Sequence, residues 1–195
     1  MTPVAIIEGE AVALLRANLD TDQIIPARFL RKPRAGGYGG FLFHDLRGEE
    51  PGLAFGLIPG RAPRILVTGA NFGCGSSREG AVYALMDAGV GCVIAAGFGD
   101  IFAGNARRNG LLLIRLAEAD VAVIQAMLPG RVLVDLPAQR LHLPDQSVLG
   151  FEIDPFVKRC LVEGLDDIGV TLAHADAITE FVRDDAVLRP WAAPG

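Results

Sequence analysis

Between Ile65 and Leu136 the apolar residues switch repeatedly between short, strand-length runs and helical spacing, and a chain that does this has few folds open to it. Ile65-Leu66-Val67, Cys92–Ala96, Leu111–Leu116 and Val132–Leu136 are runs of strand length. Gly80–Ala88 carries Ala81, Leu85 and Ala88, with Val82 and Met86, at helical spacing, and Asp100–Arg108 and Glu118–Leu128 also read as helices. This alternation predicts an α/β sheet layered with helices. Upstream, Val4–Ile7 and Ala11–Leu15, separated by Glu8-Gly9-Glu10, predict a hairpin, and Pro26 fits the first position of a short helix through Leu30. Arg31–Gly40 is a glycine-rich loop and the expected mobile segment. Downstream, Arg140–Leu143 and Val148–Ile153 predict antiparallel strands joined through Pro144-Asp145, followed by helices from Asp154-Pro155 to Glu163 and from Ala173 to Arg183. No repeat or low-complexity linker interrupts the 195 residues, so one domain, 1–195, is expected, with a helical tail over about 154–185.

Nine residues stand apart from this framework. Asn71-Phe-Gly-Cys-Gly-Ser-Ser-Arg-Glu79 lies between a strand and a helix, with two hydroxyls and a guanidinium at the expected helix start. Ser76 followed by Glu79 fits a capping box. The free N–H groups of a first helical turn, with the helix dipole and Arg78, favour a carboxylate or phosphate. Gly73 and Gly75 are expected to leave the backbone bare on the approach side. A plain cap needs neither the second serine nor the arginine.

The same letters admit a rival enzyme class. Thr68-Gly69-Ala-Asn-Phe-Gly73-Cys-Gly75 fits the glycine loop of short-chain, nicotinamide-dependent oxidoreductases. Such a site wants an acid at the end of the next strand to hold the ribose, whereas Cys92–Ala96 is followed by Gly97-Phe98-Gly99 and no acid stands there before Asp100. The two tyrosines, Tyr38 and Tyr83, have Leu42 and Asp87 four residues on, where those enzymes have lysine.

Composition removes other classes. The net charge of −5 disfavours a nucleic-acid backbone. No apolar run reaches the roughly 18 residues of a membrane span, and Met1-Thr-Pro-Val4 has no secretory leader pattern, so a cytoplasmic protein is expected. Cys74, Cys92 and Cys160 are three, widely spaced, and suit a reducing compartment. His44, His142 and His174 are scattered as well, so no metal site is expected in this chain.

Several separated segments together resemble a known family: Asn18-Leu-Asp-Thr-Asp-Gln-Ile-Ile-Pro26, Gly39-Gly-Phe-Leu-Phe-His-Asp45, Asn71–Glu79, Asp100-Ile-Phe-Ala-Gly-Asn105 with Asn109-Gly-Leu-Leu112, and Gly164-Leu-Asp-Asp-Ile-Gly169. In this order they resemble the small subunits of 3-isopropylmalate dehydratase (isopropylmalate isomerase), which are similar to the mobile swivel domain of aconitase. The resemblance implies a swivelling β/β/α domain with C-terminal helices. It implies a hydro-lyase that moves a hydroxyl between adjacent carbons of a malate-type acid in leucine biosynthesis. It also implies a [4Fe-4S] cluster carried by a large partner subunit, in a heterodimer or dimer of heterodimers.

By the same resemblance Ser76 is the catalytic base, assisted by Arg78, while Ser77, Arg78, Arg34, Thr21 and Asp22 bind substrate or orient its binders, and Phe29, Leu30, Arg31 and Lys32 form a loop over the substrate's variable group. Phe29 and Leu30 suit an apolar isopropyl group; Arg31 and Lys32 would suit an extra carboxylate. The chain departs from the family pattern at Ala35 and Gly80, where threonine and histidine are usual, and at Gly97-Phe98-Gly99 and Leu111-Leu112-Leu113. These departures leave open a related hydro-lyase acting on citraconate or citramalate, homoaconitate or another substituted malate. A regulatory subunit without catalysis would be expected to lack Ser76 or Arg78, and both are present.

Overall fold

The computed structural model describes residues 1–49 and 63–192. Its frame is a seven-stranded sheet of order β4-β3-β2-β1-β5-β6-β7. The first strand, β1 (Ile6–Leu14), joins the sheet's two halves. Its leading residues, Ile6 to Ala11, pair antiparallel with β5 (Gly130–Asp135), and its trailing residues, Ala11 to Leu14, pair parallel with β2 (Ile65–Thr68). β2, β3 (Cys92–Ala95) and β4 (Leu112–Arg115) continue in parallel; β5, β6 (Arg140–His142) and β7 (Val148–Gly150) form an antiparallel meander.

The expected hairpin near the N-terminus is therefore one continuous strand. Glu8-Gly9-Glu10 resembles a turn by composition, but Glu8 and Glu10 project to the exposed face while Ile7 and Ala11 are buried, the two-residue period of a strand. Glu8 Oε1 accepts from Arg131 Nε on β5 at 2.9 Å. Gly9 is required by packing: a Cβ there would lie 2.5 Å from Arg64 Cγ.

Helices cover both faces. α3 (Glu79–Ala88) follows β2, α4 (Asp100–Asn109) follows β3, and α5 (Glu118–Ala126) follows β4. Leu66, Val93 and Ala95 point into one core with Val82, Leu85, Phe72 and Phe102; Ile65, Val67, Cys92 and Ile94 point into the other with Val121, Ile124 and Val132. Central parallel strands buried on both faces read as unbroken apolar runs, which is how they stand in the sequence. A glycine in the left-handed conformation ends each of α3 and α4, Gly89 and Gly110.

Two short helices escape the periodicity reading, α1 (Thr21–Ile24) and α2 (His44–Glu49). Ala27–Arg31 forms a 3-10 turn behind Pro26, and Arg34–Gly36 and Gly39–Phe41 form two more. The C-terminal part is α6 (Pro155–Glu163), α7 (Asp167–Leu172) and α8 (Ala175–Leu188). α6 buries Cys160 and Leu161, but no residue of α7 or α8 is buried.

Candidate active site

The loops after β1, β2 and β3 leave the sheet at the carboxyl ends of parallel strands, where open α/β sheets form their binding crevices. They are laced together. The Asn18 and Gly73 backbone N–H groups donate to the Ala70 and Leu19 carbonyls at 2.9 and 2.7 Å, and the Thr21 N–H donates to the Cys74 carbonyl at 3.1 Å. On the other side the Phe72 N–H donates to the Gly97 carbonyl and the Gly99 N–H to the Phe72 carbonyl, at 3.0 and 2.9 Å. Bridges Asp20–Cys74 and Phe72–Phe98 extend the sheet's pairing by one step. The segment 71–75 is thus held on both sides by single bridges, and Ser76 to Arg78 emerge from a fixed base.

Glycine makes this lacing possible. Gly73 has φ +73° and is buried; a Cβ there would fall 2.3 Å from Phe102 Cγ. Its bare side faces the core, not an approaching ligand, which corrects the expectation for this residue. Gly75, at φ +89°, is exposed, with Asp20 Cβ 3.5 Å from where a Cβ would stand.

The expected capping box at Ser76–Glu79 does not form. α3 begins at Glu79 with Arg78 as its cap residue, in an extended conformation and without a side-chain cap. Glu79 Oε1 instead accepts from Asn109 Nδ2 of α4 at 2.7 Å. A capping box does occur upstream, where Asp20 Oδ1 accepts from the Gln23 N–H at 2.8 Å and Gln23 Oε1 accepts from the Asp20 N–H at 3.0 Å. Its Asp-x-x-Gln spacing was available in the sequence. Freed from capping, Ser76 and Ser77 both lie exposed at the mouth of the turn.

Thr21 and Asp22 meet this turn from the side. Thr21, buried, donates from Oγ1 to the Ser76 carbonyl oxygen at 3.1 Å. Asp22 Oδ1 pairs with Arg78 Nη1, a buried nitrogen that meets the carboxylate as an ion pair without the alignment of a hydrogen bond. Asp22 also accepts from the Ala27 N–H at 3.2 Å, which ties the turn to the start of the 3-10 segment. Ser76, Ser77, Arg78, Thr21 and Asp22 therefore form one cluster.

Arg34 stands elsewhere. Its guanidinium forks onto Asp87 at 2.6 and 2.9 Å, with its carbon 4.4 Å from the Tyr83 ring centroid, at the far end of α3. Asp87 also accepts from the Tyr38 N–H at 2.7 Å, and the backbone at Gly39 passes so close that a Cβ would be 2.6 Å from the Ala88 nitrogen. Sequence spacing gave no sign of Asp87, because the contact spans 53 positions.

Phe29, Leu30, Arg31 and Lys32 lie between these two anchorages. Phe29 stacks on Phe41 with centroids 4.4 Å apart, and Leu30 packs against the core that includes α3. Lys32 Nζ lies 4.9 Å from the Phe41 centroid, while Arg31 is exposed. Behind them Arg28 forks onto Asp45, whose carboxyl is held down to about 2 by Arg28 first and then His44. Among the described residues, no group of three or more histidine, cysteine, aspartate or glutamate side chains is arranged to hold a metal ion. Among the described residues Cys74, Cys92 and Cys160 are free cysteines, the last two buried. No helix is long and apolar enough to cross a membrane among the described residues.

Comparison with known proteins gives this geometry relatives. Residues 60–119 match the aconitase C-terminal domain, and residues 167–194 match the C-terminal domain of 3-isopropylmalate dehydratase small subunits. The 3-isopropylmalate dehydratase small subunit of Zymomonas mobilis is 44% identical over 98% of this chain and 100% of its own length. That of Xanthobacter autotrophicus is 40% identical over the same shares of the two chains. A solved structure of 3-isopropylmalate dehydratase from Methanocaldococcus jannaschii superposes with a TM-score of 0.68 at 25% identity, covering 90% of this chain and 98% of that one.

Proposed function

This chain belongs to the family of 3-isopropylmalate dehydratase small subunits, and on that footing we propose that it is the small subunit of a two-chain isopropylmalate isomerase. The enzyme interconverts 2-isopropylmalate and 3-isopropylmalate by dehydration and rehydration. The observation that carries this reading is the cluster of Ser76, Ser77 and Arg78 on a turn held by Thr21 and Asp22. The nicotinamide-dependent reading finds no support in these relatives, and the close approaches at Gly69 and Gly73 are made by the protein itself.

The reaction needs a base for a proton alpha to a carboxylate, and a serine oxygen serves only where its developing charge is stabilised. Ser76 is exposed two residues before Arg78, whose guanidinium pairs with Asp22. A guanidinium has five donors, so an arginine that meets Asp22 through one nitrogen retains others for a substrate carboxylate. In our reading Ser76 removes and returns the proton, Arg78 and Ser77 bind carboxylate oxygens, and Thr21 fixes the carbonyl of Ser76. Arg34 anchors the loop and joins the substrate set only by leaving Asp87.

The [4Fe-4S] cluster expected for this chemistry belongs to a large partner subunit in our reading, and this chain contributes the proton side of the reaction in the cytoplasm. The C-terminal helices offer a face for that partner: Ile178, Phe181, Val182 and Leu188 form an exposed apolar stripe on α8, continued by Trp191. The test is to purify this chain anaerobically, alone and with its large subunit, and to assay iron and isopropylmalate turnover. Both are expected only with the partner; stoichiometric iron or turnover in the isolated chain refutes the two-subunit reading.

A further inference from the structure

Gly80 lies in the first turn of α3, two residues past Arg78, buried and without the positive φ that would demand glycine. Its backbone accepts any L-residue, and alanine is the better helix former. What excludes a side chain there is one neighbour. A Cβ would lie 2.3 Å from Leu30 Cδ2, and the next nearest atoms, at 3.6 and 3.7 Å, belong to Leu30 too. Leu30 thus sits in a notch opened by the missing side chain of Gly80.

The notch links two parts of the site. Residues 29–32 are held at either end, by the Phe29–Phe41 stack and by the Tyr38 hydroxyl, which donates to the Lys32 carbonyl at 3.1 Å. Between these points Leu30 meets α3 at Gly80, and its carbonyl accepts from the Tyr38 hydroxyl at 3.5 Å. With no side chain at position 80, Leu30 lies against the helix two residues past Arg78. From this geometry we infer that Gly80 is a specificity-determining positioning residue: it holds Leu30 down on α3 and so sets the room for the branched apolar group of the substrate. The inference rests on the isopropylmalate reading above and adds a residue that acts on substrate choice through another.

Filling the notch moves Leu30 and little else. Ordinary carbon contacts begin at about 3.5 Å, so a Cβ at position 80 displaces Cδ2 by roughly 1 Å or more, a shift its flexible side chain can make without unfolding the helix. The displaced methyl then occupies space in front of the turn, where a bulky substituent suffers more than a small one.

The experiment uses the enzyme assembled with its large subunit and compares kcat/KM for isopropylmalate and for citraconate, which carries a methyl group instead. Gly80→Ala is expected to lower the isopropylmalate value about tenfold, mainly through KM, while the citraconate value stays within about threefold. Adding Leu30→Ala to Gly80→Ala is expected to restore most of the isopropylmalate value, because residues in contact do not act additively. Equal losses on both substrates, no loss, or no recovery in the double variant overturns the inference. Wild-type turnover of isopropylmalate in the same assay checks the parent reading separately: its absence sinks that reading, whereas turnover with an unchanged selectivity ratio sinks only the role of Gly80.

Discussion

The three thiols of this chain lie in different surroundings. Cys92 and Cys160 are fully buried, and burial raises the Cys92 thiol well above its ordinary range, so little of it is ever thiolate. Cys74 is half-buried in the segment that leads into Ser76. Native protein treated with a slight excess of iodoacetamide is expected to be alkylated at Cys74 first, with the other two thiols reacting only on unfolding; peptide mass mapping reads the order, and early modification of Cys92 contradicts this burial. Gly73 makes a second residue-level demand. With φ +73° and the Phe102 ring beneath it, Gly73→Ala incurs both backbone strain and a clash in the core. The expected cost is about 2 kcal/mol or more of stability by denaturant titration, against under about 0.5 kcal/mol for exposed Gly36→Ala, whose Cβ would meet nothing within 4 Å.

Among the elements, the loop from Ala27 to Phe41 is a set of 3-10 turns docked on α3, with Asp45 of α2 behind it. Arg28 and His44 hold the Asp45 carboxyl down from 3.8 to about 2. A depressed carboxyl contributes stability that is fully present above its unfolded value and is lost as pH falls through its folded one. The wild-type thermal midpoint is therefore expected to drop between about pH 4 and about pH 2 by more than that of Asp45→Asn; parallel curves would show that the contact adds nothing, as an exposed pair can. The elements also show what the sequence could and could not tell. β2 and β3 were legible because strands buried on both faces leave no polar interruption. β1 was split wrongly because Glu8-Gly9-Glu10 has the composition of a turn, and only its pairing with β5 shows that the two acids alternate outward. Ser76, Ser77 and Arg78 were legible as a group because they are adjacent. The contacts that orient them, Thr21 to Ser76 and Asp22 to Arg78, join residues about 55 positions apart, and no local pattern encodes them. The sequence pattern fits a cap at Ser76 because several polar residues near a helix start satisfy it; the chain uses Arg78 as cap residue, with no side-chain cap bond.

At the scale of the whole molecule, one end carries the laced loops, and α7 and α8 at the C-terminus bury no residue. Phe181 and Trp191 are 63% and 80% exposed, more than large apolar residues of a self-sufficient surface need to be. If the large subunit covers this face, Phe181→Asp with Trp191→Asp is expected to leave the circular dichroism and thermal midpoint of the isolated chain unchanged. The dissociation constant for the partner is expected to rise about thirtyfold or more, the effect of losing aromatic anchors; an unchanged constant would move the interface elsewhere. In the reading proposed above, this chain brings the proton-transferring serine to an active site completed by its partner. The most direct test of that reading is the turnover of Ser76→Ala in the assembled enzyme, beside substrate affinity and thermal midpoint. We predict kcat reduced more than a hundredfold, affinity within about threefold and the midpoint nearly unchanged, since Ser76 caps no helix. Retention of more than about a tenth of wild-type turnover, a barrier change below about 1.4 kcal/mol, would contradict the account.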